Sequence, residues 1–534
     1  MTATRPASNA DHDELASFGY KQELDRSLGK FSSFAAGFSY ISILTGVFQL
    51  FGFGFAFGGP AYWWTWPIVF LGQFLVGMCF AEMAGQFPLA GSVYQWSKQV
   101  ARPLTSWMAG WIILIGAIVT VAAVAVAYQV ILPQISDTFE FVGGSADVGS
   151  YLTPDGAKNA VVLALLLVVF TTVINMIGVK VMAIINNVGV AIELVGATVL
   201  VILLAFHITR SPAIIMHTNG TGDGRTWGYF GAFLIAGLAS CYIFYGFDTA
   251  GSLAEETNNP RKHAPSAILR ALGAAAVLGA LLILFAFMSM PNIERANVIK
   301  AIGTLGLPYV VKAVLGNGVG DIFLVCSAIA ITVCALAVHT AGIRIMFTMA
   351  RDGRLPFGSR VARVSGKSRT PIVPAIVIGV LTVVLLLVNI GNQRVFYVLT
   401  SVAIILFYIA YMCVTGPLLL RRFKGEWPRK NHGPYFSMGP FGTFVNVVAV
   451  LYQTAVVINL AWPRPDVYGS DHWYFQYGAF VFVGGIVVIG GIYYFTTLHN
   501  KTSEVLAEHR ALPAAPAEEL GAAASDGELG AAPA

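Results

Sequence analysis

Twelve apolar stretches, each near the roughly 20 residues a helix needs to cross a bilayer, alternate with polar segments along this chain. They cover approximately 34–57, 62–84, 105–132, 158–177, 182–206, 229–254, 267–290, 318–347, 372–390, 395–419, 442–462 and 473–497. Continuous runs such as AVVLALLLVVF predict helices, because outer-membrane strands would alternate in ten-residue segments. Polar gaps of ten or more residues recur between the runs and exclude a single hydrophobic core. The expected fold class is an all-α polytopic membrane protein with about 12 transmembrane helices. The first 30 residues are polar and lack the apolar core of a signal peptide, so the first span is expected to stay as an uncleaved anchor. Just before it, SFGYKQELDR predicts a short helix on the membrane surface. The last 34 residues, 501–534, are rich in Ala, Pro, Gly and Glu and predict disorder, as do residues 1 to about 17.

Composition sharpens this picture. Of 534 residues, 11% are charged and 56% hydrophobic, where a soluble domain carries about 25% charged residues. An ordinary globular enzyme and a largely disordered chain are both excluded. If both termini are cytoplasmic, the inner tails and loops hold 23 of the 32 lysines and arginines and the outer loops 8. The positive-inside rule then predicts that orientation, in the plasma membrane. It also accounts for the basic clusters RDGRLPFGSRVARVSGKSR and RRFKGEWPRK and for a pI near 8.8, so no nucleic-acid partner is expected.

Two acids fall inside apolar spans, Asp248 in IFYGFDTAGSL and Glu193 in NNVGVAIELVGATVLVILL. A charge at bilayer depth costs at least about 2.5 kcal/mol and usually faces a cavity, a partner or an ion path. Asp248 follows Gly246 in the sixth span, and the first span carries Thr45-Gly46 near its centre, with Gly52, Gly54 and Gly58 beyond. Broken helices at corresponding positions of two halves point to a binding site for a small polar solute, because a break frees N–H and C=O groups at bilayer depth. Asp248 can meet a substrate amine or take a proton, and Phe244, Tyr245 and Phe247 can gate a substrate or bind an ammonium over their rings. Glu193, near mid-bilayer, suits proton pick-up or a cation. Asn186, seven residues earlier, shares its face.

Each assignment has an ordinary alternative. The glycines can serve close helix packing, Asp248 can bond a broken-helix amide, the aromatics can pack or face lipid, and Glu193 can bond a neighbouring span. His339 reads as a packing residue, and Arg344 as one that snorkels to the interface. Glu82, Glu255 and Glu256, at inner span ends, can salt-bridge to loops as an inner gate. Cys79, Cys241, Cys326, Cys334 and Cys413 lie in apolar spans without metal-ligand spacing and read as small buried hydrophobes. No GxSxG, HExxH, P-loop or dinucleotide motif occurs. The chain is therefore not expected to be an enzyme or to hold a cofactor. A proton or sodium gradient, or exchange, is left to drive transport.

At the stretches SFGYKQELDRSLGKFSSFAAGFSYIS, MAGQFPLAGSVYQWS, INNVGVAIELVG, FYGFDTAGSLAEETNNPRKHAPSAILRA and IRIMFTMARDGRLP, the chain resembles the amino acid–polyamine–organocation superfamily. Within it, the resemblance is to the amino acid/choline transporter branch that includes GABA permeases. It covers roughly residues 18–500. It implies two inverted five-helix repeats, 31–206 and 229–419, forming a transport core over 31–419. Spans 11 and 12 (420–500) are then peripheral, and tails at 1–30 and 501–534 cytoplasmic. Substrate would bind between the breaks, with Leu44, Thr45 and Gly46 matching the first, Tyr245, Gly246 and Phe247 the second, and Asp248 following directly. Glu193 stands where some relatives place a lysine that replaces a bound sodium, which favours a proton acceptor or cation ligand. Leu44 replaces a glycine common in the first break, leaving room for choline-like substrates without a carboxylate.

The expected function is a secondary active permease that moves an amino acid or amine such as GABA by alternating access, with proton-coupled symport. The alternatives are an amino acid/metabolite exchanger or an importer of choline- or ethanolamine-like amines. A major facilitator fold is disfavoured by the short central loop at about 255–266. A membrane enzyme lacks a catalytic constellation, and a non-transporting sensor lacks a large soluble tail.

Overall fold

The computed structural model describes residues 15, 18, 20, 22–142, 153–225, 227–366, 368–388, 390, 395–428, 433–468 and 473–499. The expected tail at 501–534 and most of residues 1–17 lie outside the described residues. Among those described, the chain is helical, with no strand and one isolated parallel bridge, Leu28 to Thr257. The main helices are α1 (Lys30–Ile41), α2 (Ile43–Gly58), α3 (Thr65–Gln86), α4 (Ser92–Val100), α5 (Pro103–Ala125), α6 (Tyr128–Ile135), α7 (Pro154–Ile177), α8 (Val179–Phe206), α9 (Gly228–Ile243), α10 (Thr249–Ser252), α11 (Pro260–Ser289), α12 (Ala296–Leu315), α13 (Asn317–Arg351), α14 (Ile372–Val388), α15 (Val395–Phe423), α16 (Gly442–Ala461) and α17 (Gly478–Tyr493).

Every one of the twelve apolar stretches is helical. Eleven helices are long and apolar enough to cross a membrane, counting α1–α2 as one and including α12, while α9 and α14 are shorter apolar helices. Local chemistry sets the ends. Pro103, Pro154 and Pro260 open their helices, where the missing N–H costs nothing. The Thr153 hydroxyl accepts from Gly156 N at 3.1 Å and caps α7.

Two expectations change. The surface helix proposed for SFGYKQELDR is absent from the described residues of that segment. Instead the segment is irregular, with Leu24 and Leu28 buried. Leu28 N donates to Glu256 O at 2.8 Å, and Asn258 N donates to Leu28 O at 2.9 Å. The chain therefore docks along the 256–258 turn rather than forming an independent amphipathic helix. The second change is α12, a helix between 290 and 318, where the apolar pattern predicts a loop. Gly306, at φ 69 and ψ −150, breaks it beside Pro308, so two arms pack against α2 and α13 instead of one rod crossing the bundle.

Packing follows a two-fold rule. α2 packs on α9, α3 on α11 and α7 on α14, each a span of the first five on its counterpart in the next five. α5 packs on α15 as α13 packs on α8, one contact repeated with the two halves exchanged, which is the expected 5+5 inverted arrangement. α16 leans on α3 and α15, and α17 on α15 and α5, both at the rim. The gradient in burial agrees: 89% of the core window of the first span is buried, against 22% in the last. Outward positions such as Leu166, Val195, Val380 and Val488 are exposed apolar side chains, the pattern of a surface solvated by lipid.

Candidate functional site

The first break lies at Ser42, three residues before Thr45-Gly46. Ser42 adopts φ 33 and ψ 97, a conformation that costs a non-glycine residue about 1–3 kcal/mol and persists only where the surroundings hold it. Its N–H closes α1 on Phe38 O at 2.8 Å, and its carbonyl accepts Gly46 N at 3.0 Å. Its hydroxyl accepts Thr45 N at 3.3 Å. One serine thus ends a helix and caps the next. Leu44, Thr45 and Gly46 sit in the first turn of α2, not in the break. Gly46 serves close packing, since a Cβ there would lie 2.2 Å from Ile243 Cγ1 on α9.

Glu193 reaches this break from α8. Its Oε1 accepts from Ser42 Oγ at 2.9 Å and from Leu44 N at 3.0 Å. A carboxylate at the positive end of a helix is in a favourable field. Glu193 is fully buried, and among the described residues its Oε2 has no hydrogen-bond partner. Asn186, on the same face, is buried with an unpartnered Oδ1.

The second break spans Phe244 to Asp248, between α9 and α10, as the sequence suggested. Gly246 adopts φ 84, and a Cβ on it would fall 1.8 Å from Tyr40 Cδ1. Both facts demand glycine. Gly246 N donates to Tyr411 Oη at 2.8 Å, and Tyr411 Oη donates to Asp248 Oδ1 at 2.5 Å. Ser92 Oγ donates to Asp248 Oδ2 at 2.7 Å, and Ser252 Oγ donates to Ser92 Oγ at 2.8 Å. Both oxygens of Asp248 are therefore engaged inside the protein, on α4 and α15, which favours the structural alternative for this acid over a free amine partner.

The aromatics of the second break point three ways. Phe244 packs on Trp66 and Phe70 of α3, and Phe247 on Phe80 and Tyr411. Tyr245 alone joins the first break: its ring lies 6.0 Å from Tyr40 and 4.7 Å from Phe407, with Tyr40 and Phe407 5.8 Å apart. Its hydroxyl lies 3.2 Å from Thr120 Oγ1 on α5. Cys334 Sγ of α13 donates to Tyr40 O at 3.4 Å, at the end of α1. Tyr40, Ser42, Thr120, Phe407 and Tyr411 were not singled out from the sequence, and Cys334 was read only as a small buried hydrophobe. Ser42 and Thr120, hydroxyls within apolar runs, offered a signal there.

A family model described as amino acid permease matches residues 28–487. The chain belongs to the amino acid permease family, within the amino acid–polyamine–organocation superfamily. It is 28% identical to Amino-acid permease BAT1 of Arabidopsis thaliana, over 94% of this chain and 97% of that one. It is 27% identical to Branched-chain amino acid permease BcaP of Bacillus subtilis, over 84% and 91%. It is also 28% identical to a Methylthioribose transporter of Bacillus subtilis, over 74% and 84%. Among solved structures, that of MhsT in complex with L-phenylalanine shares the fold, with a TM-score of 0.55 at 14% identity, covering 82% of this chain and 99% of that one. This protein is a permease and not an enzyme.

The permease closes one end of the bundle with a charge network. Arg344, expected to snorkel, is buried on α13 and binds Glu256 through two bonds of 2.8 and 2.7 Å. The Glu256 turn comes to it, so it has no need of solvent. Arg351 binds Glu255 at 3.0 and 2.9 Å, and Glu255 Oε1 accepts from Ala90 N at 3.1 Å. Asp352 accepts from Lys98 Nζ at 2.5 Å, Tyr94 Oη at 2.9 Å and Tyr20 Oη at 3.1 Å. Burial raises the Asp352 carboxyl, but the Lys98 ammonium, the Arg351 guanidinium and the Tyr94 hydroxyl together outweigh it and hold it below the usual range. Glu82 accepts from Arg422, Trp427 Nε1, Ser437 Oγ and Met438 N, tying α3 to α15 and the following segment. His339 is a packing residue, with Nδ1 3.1 Å from Thr171 Oγ1 and Nε2 3.1 Å from Ala375 O.

Proposed function

We propose that this permease is a secondary active transporter that imports an amino acid or an amine such as GABA across the plasma membrane by alternating access, as a proton symporter with both termini in the cytoplasm. The observation that carries the coupling is the fully buried Oε2 of Glu193, unpartnered beside the Ser42 break. A buried carboxylate oxygen that receives no donor from the protein is suited to a proton, a cation or a water, and Glu193 joins that event to the geometry of the first break. Tyr40, Tyr245 and Phe407 form an aromatic cluster where both breaks meet, and aromatic rings there support recognition of an ammonium group. The ion pairs of Arg344, Arg351 and Asp352, with the docked segment at 22–28, form the inner gate on this reading. A relative named for branched-chain amino acids and another named for methylthioribose support a pocket whose preference diverges readily.

The test is uptake of labelled GABA, choline, ethanolamine and amino acids into proteoliposomes under an inward proton gradient, an inward sodium gradient or neither. Accumulation under the proton gradient, with its pH dependence lost in Glu193→Gln, is expected. A sodium requirement would make Glu193 a cation ligand. Uptake only with internal substrate would make the protein an exchanger.

A further inference from the structure

The first eleven residues of α11 and the segment 434–436 line an open cavity of about 560 Å³. Arg261, Lys262 and Arg270 line it together with Pro265, Leu269 and Phe436, and among the described residues no carboxylate does. Lys262, Ser266 and Arg270 recur at every fourth residue and form one stripe, so Lys262 and Arg270 stand about 12 Å apart along the helix. Arg261 lies over the Tyr435 ring at 4.8 Å. Tyr435 in turn packs on α3, where a Cβ on Gly85 would come within 3.3 Å of its Cβ. Lys262 and Arg270 are exposed and form no ion pair among the described residues.

Depth supplies the second argument. Residues 271–289 of α11 carry no charge and cover about 28 Å at 1.5 Å per residue, close to the roughly 30 Å of bilayer hydrocarbon. Arg270 therefore stands at the boundary between hydrocarbon and headgroups. Beyond Leu269 the same face continues through Gly273, where a Cβ would meet nothing within 4 Å, to the exposed Val277. An exposed apolar strip of α11 thus leads from a basic cavity into the membrane.

We infer that this cavity binds the headgroup of an anionic phospholipid, its phosphodiester between Lys262 and Arg270 and one acyl chain along Leu269, Gly273 and Val277. Basic pockets beside transmembrane helices recognise such headgroups, and the apolar lining of the cavity and the apolar strip beyond it favour a lipid over a free anion. The inference rests on the chain's place in the membrane and on nothing about substrate or coupling.

Native mass spectrometry of the full-length protein in a neutral detergent tests it, with phosphatidylglycerol, phosphatidylcholine or inorganic phosphate added. Retention of phosphatidylglycerol over phosphatidylcholine is expected. A K262Q/R270Q double variant should lose it about thirtyfold, the worth of two basic contacts to a lipid surface. R360Q/R363Q removes equal charge from another exposed cluster and should retain the lipid. Undiminished retention in K262Q/R270Q overturns the site. Equal loss in both double variants overturns it in favour of diffuse attraction. Displacement of the lipid by inorganic phosphate at similar concentration makes it a free-anion site and overturns the lipid assignment.

Discussion

Replacing Gly246 with alanine tests whether the second break is built around the absence of a side chain. At φ 84, alanine pays about 1–2 kcal/mol for the left-handed conformation. The new methyl would also lie 1.8, 2.1 and 2.5 Å from Cδ1, Cε1 and Cγ of Tyr40. That ring cannot swing away freely, because it is buried against Tyr245 and Phe407. Overpacking of this kind costs about 1–3 kcal/mol, so the sum is about 2–5 kcal/mol. Thermal unfolding of purified protein and uptake at equal reconstituted protein are the assays. Gly246→Ala should melt several degrees lower and transport poorly. In a Tyr40→Ala background, itself destabilised by the cavity it leaves, Gly246→Ala should cost only the backbone part. Gly273→Ala in α11 meets open space and should be neutral or stabilising by up to about 1 kcal/mol. A Gly246→Ala protein that melts with the wild type and transports fully would refute the reasoning.

Asp248→Asn should lower uptake of amine-bearing and amine-free substrates alike, since Ser92 and Tyr411 already occupy both oxygens; a loss confined to amines would restore direct recognition. Glu82→Ala leaves Arg422 buried without its carboxylate, at a cost of about 3–5 kcal/mol, and an unchanged melting temperature would show that the pair does not clamp α3 to α15. Asp352 contributes stability above the ordinary aspartate value near 3.9, and this is lost as pH falls through its lower folded value. Acid melting curves should therefore show a drop in that window that Asp352→Asn lacks, and parallel curves would contradict it.

The hydrophobic pattern by itself determined the twelve spans, since nothing but a continuous apolar run can cover a bilayer as a helix. It also located the second break, because Gly246 among Tyr245, Phe247 and Asp248 marks a place where only glycine fits. The first break was misplaced by three residues because its glycines announce close packing against α9 and α12, while Ser42 is held in its conformation partly by Glu193, 151 residues away. Helix α12 was hidden because Gly306, Pro308, Lys300 and Lys312 dilute its apolar character. The N-terminal segment looked like a helix, yet its leucines find burial against the 256–258 turn.

The acids show the same division most plainly. Sequence placed Asp248 and Glu193 at bilayer depth, and the cost of burying charge made both conspicuous. Which of them is free was decided by helices far apart in the chain. α4 and α15 supply donors to both oxygens of Asp248, and α8 brings Glu193 to the Ser42 break with one oxygen unpartnered. Hydrophobicity is a property each residue carries alone, so the spans could be read in order along the chain. Hydrogen-bond satisfaction is a property of pairs, and these pairs form only when spans distant in the chain pack together, Glu193 on Ser42 within one repeat and Asp248 on Ser92 across the two.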